Sequence, residues 1–182
     1  VRSIGGFGFA FFLPLLGQER GLSILSWGIA LSVYNLSGVV GSLILGYLAD
    51  RRDPKPLVLG SLVLSTPFML LALSTDGLLP LIMLSLGGAM VFATNSILVA
   101  MVQQCAPTNA GFVSSLPGGF SWGVAGLTMP LFGLMADISG VQGVMRIMAL
   151  LPLVAAVVGI FLPQWVTPSR NVQNSGPEVT GG

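Results

Sequence analysis

The sequence predicts an all-α membrane protein with six transmembrane helices arranged as two inverted three-helix repeats. Hydrophobic residues make up 53% of the 182 positions, only 7% are charged, and the mean hydropathy is +0.91. Soluble domains carry about 25% charged residues, so this chain has too few charges to form a solvated surface. Its surface must face an apolar medium, and the lipid bilayer is therefore its first expected partner.

Six apolar segments account for residues 1–163, which we expect to form one transmembrane unit. About 20 apolar residues cross the hydrocarbon core of about 30 Å. Backbone groups in lipid must be satisfied within the chain, and the alternating pattern of a barrel is absent from the sequence, so the segments are predicted to be helices. The predicted spans are 3–16 (truncated at its N-terminal end), 25–49, 56–75, 78–103, 112–136 and 143–163.

The positions of Lys and Arg predict the orientation in the membrane. The short loop after the second span carries Arg51, Arg52 and Lys55, and short basic loops remain in the cytoplasm. Counting spans puts Arg2 and the tail, residues 164–182, on the same side. The tail is rich in Pro, Ser, Asn and Gly and is expected to be disordered. The sequence thus predicts a multi-pass protein of the plasma (inner) membrane, with this loop and the tail in the cytoplasm.

A short motif occurs twice along the chain. Gly46–Asp50 (GYLAD) ends the second span, and Gly133–Asp137 (GLMAD) ends the fifth. Because three spans separate the two copies, they are expected on opposite membrane faces. Arg51 and Arg52 follow the first copy, whereas no charge follows the second directly. Inverted three-helix repeats are typical of secondary transporters, although glycine enrichment in spans could also produce such a match by chance.

Polar residues share one side of the second and fourth spans. At about 100° per residue, Ser32 and Asn35 fall on one arc of the second span, and Asn95 and Ser96 share a face of the fourth. These residues either line a substrate cavity or make hydrogen bonds between helices, worth about 0.6 kcal/mol on average. Trp122 in the fifth span either stacks on a substrate or packs. These five residues are the candidates for a substrate cavity.

The fifth span is rich in glycine and contains two prolines. A Gly119-x-x-x-Gly123 pair predicts a face that lets another helix backbone approach closely, and Pro117 and Pro130 are potential bending points. Such a helix suits a moving interface, and static packing is the alternative. The glycines in question are Gly118, Gly119, Gly123, Gly126 and Gly133.

Residues that most enzyme and metal sites require are missing from the sequence. It contains no His and a single Cys, Cys105, so it lacks the commonest metal ligand and general base. No pair of carboxylates lies within a span. We therefore expect no enzyme activity, no metal and no cofactor. A net charge of +1 gives no indication of a nucleic-acid partner.

The stretch Gly46–Lys55 (GYLADRRDPK) resembles the G-x-L-a-D-r-x-G-r-k signature of the major facilitator superfamily, with Asp53 in place of the usual Gly. That signature follows the second and eighth of the family's twelve helices. Most of residues 1–163 also looks like the second half of fosmidomycin-resistance-type efflux proteins. The segments that carry this similarity include Phe12–Leu15, Ser96–Val99, Gly118–Gly123, Gly133–Asp137 and Phe161–Pro163.

The resemblance implies that this chain supplies helices 7–12, the C-terminal half, and that an N-terminal six-helix half is its missing partner. It implies efflux of a small molecule or drug by alternating access, coupled to a proton. Gly46, Asp50, Arg51, Arg52 and Asp137 would then be motif or gating residues, with Asp50 docking on a helix of the other half. A plain solvated anchor is the alternative for the charged loop, and a six-helix channel or scaffold acting as a homodimer is the alternative function.

Overall fold

The computed structural model describes residues 1–49, 51–105 and 110–161, and in this part of the chain all regular secondary structure is helical. Asp50 and the predicted tail lie outside the described residues. A π-helical turn, Leu116–Phe120, joins the helices Ala110–Ser115 and Ser121–Ser139, so these two helices form one span. The helices are α1 (Arg2–Glu19), α2 (Ile24–Ala49), α3 (Pro54–Ser74), α4 (Leu79–Cys105), α5 (Ala110–Ser115), α6 (Ser121–Ser139) and α7 (Val141–Ile160).

Five of the described helical stretches are long and apolar enough to cross a membrane: α2, α3, α4, residues 117–139 and α7. The 18-residue α1 is not among them, because Arg2, Gln18 and Glu19 at its ends lower its hydropathy. All six helical segments lie where the hydropathy predicts them, with ends that differ by a few residues. The all-α prediction is therefore confirmed.

Contacts at the two ends of α7 define the two ends of the bundle. At one end, Lys55 Nζ donates a hydrogen bond to the Ile160 carbonyl at 3.3 Å. At the other end, the Val141 amide donates to Glu19 Oε1 at 3.4 Å. The 20 residues of α7 separate these contacts by about 30 Å. Asp137, just before Val141, therefore lies at the opposite end from the basic loop, as the inverted repeat predicts.

The same pairs of helices touch when the first triplet of spans (α1, α2 and α3) is exchanged with the second (α4, α5 with α6, and α7). The first helix of each triplet packs on the second and third helices of the other: α1 contacts α6 and α7, and α4 contacts α2 and α3. The two third helices, α3 and α7, also pack on each other. This reciprocal pattern is what two three-helix repeats of opposite sense require.

Glycines allow α2 and α4 to approach each other closely. A Cβ atom on Gly41 would lie 2.7 Å from the Ala89 Cα, and one on Gly38 would lie 2.5 Å from a Phe92 ring carbon. On α4, a Cβ on Gly88 would lie 2.6 Å from a backbone oxygen of α2. Without side chains at these positions the two backbones can come close together. This contact fixes the second and fourth spans relative to each other.

The core of the bundle lies around α1. Phe9 and Phe12 of this helix are fully buried and pack with Tyr34, Met145 and Met148 from α2 and α7. The Tyr34 hydroxyl donates a hydrogen bond to the Gly6 carbonyl at 3.2 Å. The polar residues at its two ends make α1 less apolar than the other five helical segments. Its central residues nevertheless occupy the middle of the bundle.

Candidate functional site

Ser32 and Asn35, the two cavity candidates on α2, are exposed and hydrogen-bonded to their own helix. Ser32 Oγ donates to the Gly28 carbonyl at 2.9 Å, and Asn35 Nδ2 donates to the Leu31 carbonyl at 2.8 Å. Neither bond joins α2 to another helix. Ser42, two turns after Asn35 on the same side of α2, does reach α4, where its hydroxyl donates to the carbonyl oxygen of Phe92 at 3.2 Å. The polar arc of α2 thus combines one interhelical contact with two outward-facing polar groups.

Asn95 and Trp122, predicted from different spans, line one narrow cleft between α1, α4 and α6. The cleft has room for about 10 Å³ and also includes Arg2, Ser3 and Phe7. The rings of Phe7 and Trp122 are 5.5 Å apart between centroids and tilted by 56°. Trp122 keeps 43% of its surface exposed, so it forms the rim of the cleft. Ser96, next to Asn95 on α4, is exposed and is not among the residues that line the cleft.

Arg2 is the residue of this cleft that the sequence analysis missed. Its guanidinium donates from Nη2 to Asn95 Oδ1 at 3.1 Å and from Nη1 to the Val91 carbonyl at 3.3 Å. Counting spans puts Arg2 on the same side of the membrane as the basic loop, and in the structure its side chain is partly buried against α4.

The motif residues lie at the ends of the bundle and away from the cleft. Gly46 is half-buried, and a Cβ atom there would meet nothing within 4 Å. Arg51 is exposed, and its Cζ lies 4.5 Å from the Tyr47 ring centroid, a cation–π distance. Arg52 and Asp137 are both exposed, at opposite ends. The structure therefore does not bring the two motif copies together, and Asp50 lies outside the described residues.

The π-helical turn interrupts the fifth span directly before Trp122. Within it, Pro117 has no amide hydrogen to donate to the helix, and Gly118 and Gly119 follow. Such turns inside α-helices are frequent at functional sites. These residues predict bending points in the fifth span, and in the structure the local change is a π-helical turn.

The glycines of the fifth span face open space. A Cβ atom built on any of them would have no atom within 4 Å among the neighbours counted in the described chain. The close approach predicted from Gly119-x-x-x-Gly123 is therefore not made with any described helix, and the tight contact occurs between α2 and α4 instead. The glycines are Gly118, Gly119, Gly123, Gly126 and Gly133.

A larger cavity of about 860 Å³ opens at the Glu19 end of the bundle, between α1, α2, α3, α4 and α7. Its rim carries Arg20, whose guanidinium donates to the Leu73 carbonyl, and Asp76. None of the five residues predicted to line a substrate cavity belongs to it. In the part of the chain that the structure describes, no group of three or more His, Cys, Asp or Glu residues could hold a metal ion.

Comparison with known proteins identifies the family of this chain. The family model "Major Facilitator Superfamily" matches residues 1–180. The chain belongs to the Major Facilitator Superfamily. This confirms the family predicted from the Gly46–Lys55 motif, and with the apolar helices it makes the chain part of a multi-pass membrane protein. As a member of a transporter superfamily, the chain is not an enzyme.

Three curated members of the superfamily are similar to this chain. The fosmidomycin resistance protein of Escherichia coli (strain K12) is 32% identical over 158 residues, which cover 85% of this chain and 38% of that protein. The uncharacterized MFS-type transporter YfnC of Bacillus subtilis (strain 168) is 29% identical over 131 residues, 72% of this chain and 32% of that protein. The inner membrane transport protein YajR of Escherichia coli (strain K12) is 26% identical over 186 residues, 93% of this chain and 39% of that protein.

The chain thus spans less than half the length of the curated superfamily members it matches. No significant match is found among solved structures.

Proposed function

We propose that the chain is the C-terminal six-helix half of a secondary active transporter that exports a small molecule by alternating access. The observation that carries the proposal is the reciprocal packing of two helix triplets, which is the arrangement expected of a transporter repeat. Similarity to a fosmidomycin resistance protein supports export of a drug-like compound. In this proposal the remaining helices of the transporter are the principal partner of the chain.

The exposed faces of α2 and α6 support an interface with those remaining helices. Ser32 and Asn35 on α2 point away from the bundle, and the glycines of the fifth span meet no described helix. Small residues allow close helix contact, and exposed polar side chains within a span are costly to leave in lipid. Both features favour a partner surface or an aqueous cavity on this side of the bundle.

The charged loop is proposed to act as a gate between the two halves. A carboxylate at position 50 that docks on a helix N-terminus would gain about 0.3–1 kcal/mol, and up to about 2 kcal/mol when partly buried. The Arg51 guanidinium lies against the Tyr47 ring at the end of α2. This contact limits how far the Arg51 side chain can extend toward another helix. Loss of the Asp50 contact in the alternate state would bias the access equilibrium. By the positive-inside rule, we assign this loop to the cytoplasmic side.

Proton coupling is proposed to depend on residues outside this half. Glu19, Asp53, Asp76 and Asp137 are exposed and lie at helix ends or in loops, whereas proton relays use ionisable groups inside the membrane. This chain would then contribute a cavity wall and a gate, and it would not transport by itself.

The full-length protein tests the proposal in a strain that lacks its own drug efflux pumps. We expect raised resistance to at least one compound of a susceptibility panel, and loss of that resistance when ΔpH is collapsed. Residues 1–182 alone in proteoliposomes should give no saturable uptake. Saturable uptake by these residues alone would instead favour the six-helix homodimer, as would a gene with no further spans upstream.

A further inference from the structure

A cavity of about 290 Å³ lies at the basic-loop end of the bundle, between α1, α3, α4 and α7. Its walls are mostly aliphatic. One of its lining residues, Val158 on α7, is 55% exposed, so the cavity opens at the surface of the bundle. The apolar residues that line it include Val58, Leu62, Leu98, Met101, Ala155 and Val158.

Two cationic side chains line the same cavity, and no acidic residue is among the described residues of its lining. Arg2 is the first residue of α1 and Lys55 is the second residue of α3, so both cations lie where their helices begin. The Lys55 ammonium donates to the Ile160 carbonyl at 3.3 Å, which places it level with the end of α7. The opening of the cavity is therefore positively charged, which favours an anionic ligand.

The depth of the apolar part corresponds to one leaflet of the bilayer. Leu62 follows Lys55 by seven residues on α3, and Ala155 precedes Ile160 by five residues on α7. At about 1.5 Å per residue these separations are about 10 Å and about 8 Å. Half of the hydrocarbon core is about 15 Å thick. The cavity thus has charge at the membrane surface and apolar walls below it, which is the order of polarity in a phospholipid.

We propose that this cavity binds one anionic phospholipid from the leaflet at the basic-loop end. The headgroup phosphate would lie between Arg2 and Lys55, and the upper part of one acyl chain would lie against the apolar walls. Basic pockets between transmembrane helices bind lipid headgroups in this way. A volume of about 290 Å³ is at the low end of small-molecule sites, about 300–1,000 Å³, so it has room for part of a single chain.

The bound lipid would contact both helix triplets, because α1 and α3 belong to the first triplet and α4 and α7 to the second. Two cations without an acidic neighbour in the lining favour a headgroup with net negative charge. The ammonium of a zwitterionic headgroup would be repelled by them. This inference goes beyond the proposed transport function and does not depend on which molecule is exported.

Melting of the purified full-length protein in dodecyl maltoside micelles tests the headgroup contact. The added probes are phosphatidylglycerol, phosphatidylcholine and glycerol phosphate, which has the phosphate but no acyl chain. We expect phosphatidylglycerol to raise the melting temperature by about 2 °C or more above the effect of phosphatidylcholine, and glycerol phosphate to have no effect. Lys55→Gln should abolish this difference and Lys55→Arg should keep it. Arg52→Gln is the matched control, because Arg52 is an exposed cation of the same loop that does not line the cavity.

A second pair of variants tests the acyl-chain contact. Ala155→Phe places a ring in the apolar part of the cavity, whereas Val157→Phe adds one on the same helix at an exposed residue outside the lining. We expect the shift with phosphatidylglycerol to be lost in Ala155→Phe and kept in Val157→Phe. Each shift is measured against the lipid-free melting temperature of the same variant, so a change in stability does not affect the comparison. Mass spectrometry of the intact protein should show one retained phosphatidylglycerol in the parent and none in Ala155→Phe.

Several results would overturn the inference. Equal shifts with the two lipids, or a shift with glycerol phosphate alone, would show that the protein does not select an anionic lipid. Equal losses in Arg52→Gln and Lys55→Gln would indicate diffuse attraction to the charged loop. Absence of any lipid shift in the parent would also contradict it. If a shift then emerged in a protein that ends after Phe161, residues 162–182 would be the occupant of the cavity in place of a lipid.

Discussion

Replacing Gly41 with Ala tests whether the close contact between α2 and α4 determines the stability of the bundle. The added Cβ would lie 2.7 Å from the Ala89 Cα and 2.8 Å from its carbonyl carbon, and closest of all to its carbonyl oxygen. Carbon atoms pack best at about 3.5–4.0 Å. The two backbones would therefore have to separate by about 1 Å, which weakens contacts along the whole interface. Overpacking of this kind costs about 1–3 kcal/mol.

Gly28→Ala is the matched control for this substitution. Gly28 is in the same helix, and a Cβ atom there would meet nothing within 4 Å. Both variants gain the same helix preference of alanine over glycine, about 1 kcal/mol. The difference between the two variants therefore isolates the contact with Ala89. We expect Gly41→Ala to be less stable than Gly28→Ala by about 1–3 kcal/mol.

Unfolding of the full-length protein in mixed micelles by increasing SDS, followed by tryptophan fluorescence, measures this difference. Equal unfolding free energies for the two variants, within about 0.5 kcal/mol, would refute the reasoning. So would a Gly41→Ala protein that is more stable than the parent. In either case α2 and α4 would not be held together by the glycine contact.

Three further predictions concern other contacts. Tyr34→Phe removes the buried hydroxyl bond to α1 and should cost about 0.6 kcal/mol of unfolding free energy, as measured by the same titration; a cost above about 2 kcal/mol would mean that more than this bond is lost. Single cysteines at Arg52 and Ser139, in a protein without Cys105, should react with an impermeant maleimide from opposite sides of membrane vesicles, and labelling from a common side would rule out the inverted arrangement. Glu19→Gln removes a negative charge at the start of α7 and should cost about 0.3–1 kcal/mol at low salt, with a smaller effect at high salt; an effect insensitive to salt would argue against an electrostatic contact.

The positions of the helices could be predicted because a span of about 20 apolar residues is a strong signal in a chain with few charges. The opposite placement of the basic loop and the Asp137 turn followed from counting those spans. The cleft was predicted only in part. Asn95 and Trp122 are polar or aromatic residues in apolar spans, which single them out, but nothing in the sequence indicates that Arg2 folds against α4.

Glycine patterns show where helices can approach each other, but the sequence does not specify which helices do. Gly119 and Gly123 have the more familiar spacing and face open space, whereas Gly38 and Gly41 make the tight contact. The choice depends on which faces the chain connectivity brings together. The π-helical turn was likewise missed, because Pro117 indicated a bend but not its form.

The packing of each triplet's first helix on helices of the other triplet has a mechanical consequence. The first helix of each triplet packs between the second and third helices of the other triplet. Neither triplet therefore encloses a complete core by itself. A break of the chain between α3 and α4 should leave two pieces that need each other to fold. The six helices should therefore tilt as one rigid body during a transport cycle, and the displacement should be concentrated at the outer surface of that body.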